Sequence, residues 1–256
     1  MKVLRRCALA FAAAVLTGPL VVACSGTLTL NGDWRTADRS PAGIAPDPAR
    51  VKEAVVQVYA ARAFNWRGIF GVHTWIATKR ANAAGYEVHQ VVGWRRYSGL
   101  PVLVSEPDAP DRLWYGYAPE ILVDLRGPEA EAAIDAILAA VRSYPFPETY
   151  RVWPGPNSNT FTAWVGRQVP ALRLDLPPTA IGKDYLGGLR LIDRAPSGSG
   201  WQFSLFGLLG ATVALEEGVE VNLLGLSAGL NPLDLEVRLP GLGILRPGNP
   251  ATTITE

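Results

Sequence analysis

The apolar and polar positions change period along the chain, and each change marks an element. From Ala54 the apolar residues alternate or run together, rich in β-branched and aromatic side chains. Residues 55–62, 68–77 and 86–94 read as three sequential antiparallel strands, joined by the turns Asn65-Trp66-Arg67-Gly68 and Asn82-Ala83-Ala84-Gly85, with 100–104 as a fourth extended piece. Residues 113–123 fit neither period. The spacing then lengthens. Residues 128–142 place Pro128 in a first helical turn, acids at the N-terminal end, Arg142 at the C-terminal end, and Ile134, Ile137, Leu138 and Val141 on one face. A second helix follows Trp153-Pro154-Gly155-Pro156-Asn157-Ser158. The prolines cannot continue a preceding helix, Asn157 or Ser158 can cap the next one, and Phe161, Trp164, Val165 and Val169 have the spacing of one buried face. The pattern predicts an α+β fold: an antiparallel sheet over 54–104 packed by helices at 128–142 and 157–168.

Beyond that the pattern loosens. Residues 177–185 and 194–201 read as long loops, a common place for function. The apolar run 203–215 is too short to cross a bilayer, which needs about 20 residues. Glu216, Glu217 and Glu220 follow it, which favours burial in the core over contact with anionic lipid. Residues 219–229 and 233–245 read as Gly- and Leu-rich strands or loops covering an edge. The organisation expected is a targeting segment over 1–24, a tether and approach over 25–50, a single globular domain over 51–246, and a loose tail over 247–256.

At the N-terminus Lys2, Arg5 and Arg6 precede an apolar run from Ala8 to Ala23, as in an export signal. Val21-Val22-Ala23-Cys24 resembles the lipobox of bacterial lipoproteins, which implies acylation at Cys24; the alternative is an uncleaved signal anchor. Either outcome tethers the domain to a membrane of the bacterial cell envelope, on the periplasmic side. The whole chain carries a net charge of +1, and removing the three cations of residues 1–23 leaves 21 basic against 23 acidic residues, so there is no electrostatic footprint for nucleic acid. Cys7 and Cys24 are the only cysteines, so residues 25–256 hold neither disulfide nor thiol nucleophile. Two histidines, His73 and His89, are too few for a zinc constellation, with a His-His-carboxylate site as the alternative, and no metal or other cofactor is expected.

The candidate chemistry lies at the start of the second helix. A hydroxyl at Ser158 would sit at the positive end of a helix dipole beside unpaired backbone donors, where a developing anion is stabilised, whereas Asn157 and Ser158 as plain caps is the simpler alternative. His73 lies on a strand between Val72 and Thr74, a setting in which histidine is usually structural. A histidine strand, a second polar strand and then Asn157-Ser158-Asn159-Thr160-Phe161 opening a helix resembles the circularly permuted papain-like hydrolases, including cell-wall peptidases and the lecithin–retinol acyltransferase-like group, with serine where their nucleophilic cysteine stands. The resemblance covers about residues 54–170. It implies His73 as base, His89 or Gln90 as the group that orients it, Ser158 as nucleophile, and Asn157 and Asn159 as oxyanion- or ligand-binding residues. A serine in geometry built for sulfur is slow or inert.

A fuller resemblance, carried by Trp34–Ser40, His73–Ala77, Gly155–Phe161 and Leu176–Tyr185, is to a family of bacterial envelope proteins known only as a domain of unknown function, and it spans nearly the whole mature chain. Two readings of function follow. One is a non-catalytic or degenerate papain-like domain that binds an envelope component, such as peptidoglycan or lipid. The other is a serine-variant hydrolase or acyltransferase acting on an envelope amide or ester.

Overall fold

The computed structural model describes residues 2–248. The tail expected to be loose lies, from residue 249 onward, outside the described residues. An N-terminal helix, α1 (Lys2–Cys24), precedes a five-stranded sheet of β1 (Val55–Arg62), β2 (Val72–Lys79), β3 (Glu87–Val91), β4 (Leu103–Pro107) and β5 (Glu120–Arg126). Its order is β4-β3-β2-β1-β5 and every pairing is antiparallel. Helices α2 (Gly127–Arg142) and α3 (Ser158–Gln168) follow. The α+β class and both helices agree with the sequence pattern. The start of the piece expected at 68–77 and the end of the one expected at 86–94 instead belong to short 3-10 turns, Asn65–Ile69 and Gly93–Ser98, because the chain must reverse there between antiparallel neighbours.

All residues of β1 and β2 are buried, since both faces of this sheet are covered. On one face Val56, Val58, Ala60, Val72 and Ile76 pack against Ile134 and Ile137 of α2 and Phe161 and Val165 of α3. On the other, Val55, Tyr59, Ala61, Trp75 and Ala77 pack against Val51, Trp114 and Ile121. The period-2 alternation of a strand sends neighbouring residues to these two separate layers. The approach segment is laid along the body: Ile44 and Ala45 donate their backbone N–H groups to Asp111 at 2.7 and 3.0 Å, and Gly32 donates to Asn65 at 2.7 Å. Among the described residues no helix is long and apolar enough to cross a membrane.

Residues 192–245 form a second sheet, a seven-stranded antiparallel meander: β6 (Ile192–Arg194), β7 (Gly200–Leu205), β8 (Leu209–Ala214), β9 (Gly218–Leu223), β10 (Leu226–Asn231), β11 (Glu236–Leu239) and β12 (Gly243–Leu245). The run 203–215, expected in the core, is the β7–β8 hairpin. Its polar residues Gln202, Ser204 and Thr212 point inward and are buried, while Phe203, Leu205, Leu209, Val213 and Leu215 face out and are exposed. The loop 177–185 brings the reason for this inversion. It carries Lys183 and Asp184, both buried, and the inner face of the second sheet supplies their partners. Lys183 Nζ lies 2.5 Å from Glu220 and 3.3 Å from Asp184. Asp184 accepts from Asn222 at 2.6 Å and from Ser227 at 3.2 Å. Arg238, itself buried, donates to Glu220 at 2.6 Å, to Asp175 at 2.5 and 2.8 Å and to Glu236 at 2.9 Å. Arg167 of α3 donates to Gln202 and to the carbonyl of Lys183. A polar, ion-paired layer thus joins the second sheet to the body, and the apolar half of each strand is turned to the outside.

Candidate functional site

The turn before α3 places the site. Both Trp153–Pro154 and Gly155–Pro156 are cis, and Asn157 ends the turn as the N-cap. Asn157 Oδ1 accepts from the N–H groups of Asn159 (3.0 Å) and Thr160 (3.2 Å), while Thr160 Oγ1 accepts from Asn157 N–H at 3.1 Å, a reciprocal capping box. The cap role falls to Asn157 and leaves Ser158 free of it. Ser158 is 4% exposed, and neither its hydroxyl nor its backbone N–H makes a hydrogen bond to any described residue. Two donors at a helix N-terminus therefore border open space.

The flanking amides are saturated. Asn157 Nδ2 donates to the carbonyls of Val152 and Ile181, each at 3.0 Å. Asn159 Nδ2 donates to Val72 (3.0 Å) and Ile181 (2.8 Å), and its Oδ1 accepts from Thr74 at 3.0 Å. These two asparagines stitch α3 to β2 and to the 177–185 loop. Gly182 makes this closure possible: at φ +101° it admits no ordinary side chain, and a Cβ there would lie 2.4 Å from Asn157 Nδ2.

The open space is a cavity of about 1310 Å³ at the end of the first sheet. It is bounded by the β1–β2 and β3–β4 connections, the 114–115 and 150–153 segments, and Asn157, Ser158 and Asn159. His73 and Ser158 both line it, but from different sides. Thr74 points to α3, bonding Asn159 and Thr162, so His73 leaves β2 on the opposite face. There its ring stacks on Trp114, with centroids 3.5 Å apart and planes 9° from parallel. Gln90 Oε1 accepts from His73 Nε2 at 3.2 Å, which leaves Nδ1 as the ring's lone pair. Among the described residues no hydrogen bond joins His73 to Ser158. Burial lowers the His73 pKa to about 3, with the Gln90 bond opposing only in part, so the ring is neutral and accepts a proton reluctantly.

Gln90 is the partner of His73, and His89 is not. His89 faces the helix layer, fully buried between Ser105 Oγ (2.7 Å from Nδ1) and Thr78 Oγ1 (3.1 Å from Nε2), with its pKa lowered to about 4 by burial. Cys24 ends α1 as an exposed free thiol. Among the described residues no cluster of three or more His, Cys, Asp or Glu side chains is placed to hold a metal ion.

Sequence reading missed the cavity wall. Trp34, Trp66, Trp94, Trp114, Tyr115 and Trp153 line it together with Arg39, Arg67, Arg96 and Arg151, and no Asp or Glu does. Arg39, Arg67 and Arg96 lie over the rings of Tyr115, Trp66 and Tyr97 at 4.4, 5.3 and 4.9 Å. The signal was present as repeated Trp-Arg and Arg-Tyr pairs, at 34–35, 66–67 and 94–97, but those pairs come from three separate connections.

Residues 53–185 match a family described as protein of unknown function, DUF3750. The chain belongs to this family. The matched stretch holds the first sheet, α2, α3 and the 177–185 loop; it is narrower than the resemblance that began at Trp34, and the second sheet lies outside it. No curated protein and no solved structure matches the chain.

Proposed function

We propose that this DUF3750 protein is a membrane-tethered envelope protein that binds an anionic amphiphile in the cavity before α3. The observation that carries the reading is the makeup of the wall: four arginines, many aromatic rings and no carboxylate around about 1310 Å³. Aromatic faces accept apolar or flat groups, arginine accepts phosphate or carboxylate in a bidentate fork, and the unpaired N–H and hydroxyl of Ser158 add two donors at a helix N-terminus. Binding is favoured over acyl transfer because His73, neutral and stacked on Trp114, is a poor proton acceptor for the Ser158 hydroxyl.

Dodecyl phosphate, titrated below its micelle concentration, should change the tryptophan fluorescence saturably, and dodecyl maltoside should not. Arg96→Ala should weaken the phosphate probe roughly five- to tenfold, as expected for an exposed charge-assisted contact. Equal response to both probes would defeat the anionic reading. Covalent labelling of Ser158 by a fluorophosphonate would replace the binding reading with the serine-variant hydrolase or acyltransferase, with Ser158 as nucleophile and His73 as base.

The tether rests on the cationic start, the apolar run and Cys24. A fatty-acid analogue fed to cells should mark the wild type and not Cys24→Ala. Label that survives the substitution removes Cys24 as the anchor point.

A further inference from the structure

The outer face of the second sheet is apolar across all seven strands, and the register makes it continuous. One row runs Trp201, Val213, Val219, Leu230, Val237, Leu245 across β7 to β12; a second runs Ile192, Phe203, Ala211, Val221, Ala228; a third runs Leu205, Leu209, Leu223, Leu226. Trp201, Val213, Val219 and Leu230 are 57, 61, 51 and 57% exposed. Arg194 alone among the strand residues brings a charge to this face, at its margin over the Trp201 ring. Glu220, Glu236 and Arg238 all point inward. An antiparallel sheet with one face solvated carries its polar residues on that face, and this sheet does the reverse.

With strands of three to six residues, each about 10–20 Å long and about 4.8 Å apart, the face presents roughly 550 Å². That lies near the top of the roughly 300–600 Å² of the largest apolar patch on an ordinary monomer, a patch that often serves a function. We infer that it is the interface with a second copy of this chain, the two sheets packing face to face as a sandwich. Two such faces bury about 1,100 Å² in all, above the roughly 1,000 Å² that a biological interface must clear. A two-fold axis makes the patch complementary to itself and brings the central strand, β9, against its own counterpart. Hydrocarbon fits less well as the occupant. The sheet is open, so its β6 and β12 edges carry backbone groups that lipid tails cannot satisfy.

The test uses the full chain in its native membranes. Val221→Cys places a thiol at the middle of β9, and a short bismaleimide should convert it to a dimer-sized band. The wild type, with its own cysteines, and Asn82→Cys on the far turn of the first sheet should stay monomeric. Adding Val213→Glu to Val221→Cys should lower the crosslinked fraction at least tenfold. A Val221→Cys protein that stays monomeric overturns the inference. So does quenching of a nitrobenzoxadiazole attached at that position by doxyl-labelled lipids, which would put the bilayer in place of the second copy.

Discussion

Lys183→Met is expected to lower the unfolding free energy by about 3–5 kcal/mol, the usual cost of removing one partner of a buried ion pair. The ammonium is sealed between Glu220 and Asp184, with all three side chains almost wholly buried. Burial alone would push the Lys183 pKa down, but Asp184 and Glu220 together hold it above its ordinary value, so the group is charged in the fold. Glu220 answers in kind: burial pushes its pKa up, Lys183 and Arg238 outweigh that, and the net shift is downward. Methionine fills the space of the lysine stem yet leaves a carboxylate of Glu220 with Arg238 as its one remaining cation. Urea unfolding of Lys183→Met, Glu220→Gln and the double variant measures the coupling. The double variant should cost less than the sum of the singles. A loss under about 1 kcal/mol in Lys183→Met would mean that water reaches the pair, and the polar layer would no longer explain why the second sheet is turned apolar side out.

Between pH 7 and pH 4.5 the wild type is expected to lose about 2.5 kcal/mol more stability than His89→Gln. His89 has a folded pKa of about 4 against an ordinary 6.5, because burial disfavours its charged form. Its contribution is therefore fully present above pH 6.5 and is lost as pH falls towards 4, when the unfolded chain binds a proton that the folded one refuses. Glu120 acts in the opposite sense, since burial raises its pKa to about 7 against the pull of Arg62 and Arg246, but it is common to both proteins and cancels in the comparison. Urea midpoints at the two pH values, for both proteins, give the difference. Equal acid sensitivity would show that His89 is hydrated or already protonated, and that the layer between β3 and α3 is not dry.

The local elements of the first sheet could be read from the chain because their causes are local. The α3 start needs only the prolines, Asn157 and Thr160 within the stretch 154–160, and β1 to β3 need only β-branched runs between turns. Strand β5 stays undecided in the sequence because its short signal, Ile121, Val123 and Leu125 at period 2, runs directly into the helix from Gly127; its partner, β1, is some sixty residues away and supplies the pairing. His89 and Gln90 are adjacent, and both are polar residues on a strand. Only the register of β3 against β2 decides that Gln90 shares a face with His73 while His89 turns to the helices. The cavity is the same kind of case, assembled from the 63–71, 93–98 and 150–159 segments that meet at one end of the sheet.

For the second sheet, the alternation in 201–205 and 219–223, which reading 203–215 as a buried run and 219–229 as strands or loops passes over, by itself gives those two strands one apolar and one polar face. It could not say which face points inward. That choice was made by Lys183 and Asp184, 37 residues before Glu220, and by Arg167 on α3: once these charges are drawn into the fold, they must be met by Glu220, Asn222, Ser227 and Gln202, because an unpaired buried charge costs more than leaving the apolar faces outside. Period is a property of neighbouring residues and is written in the sequence, whereas the sense of burial depends on partners that only the tertiary structure brings together.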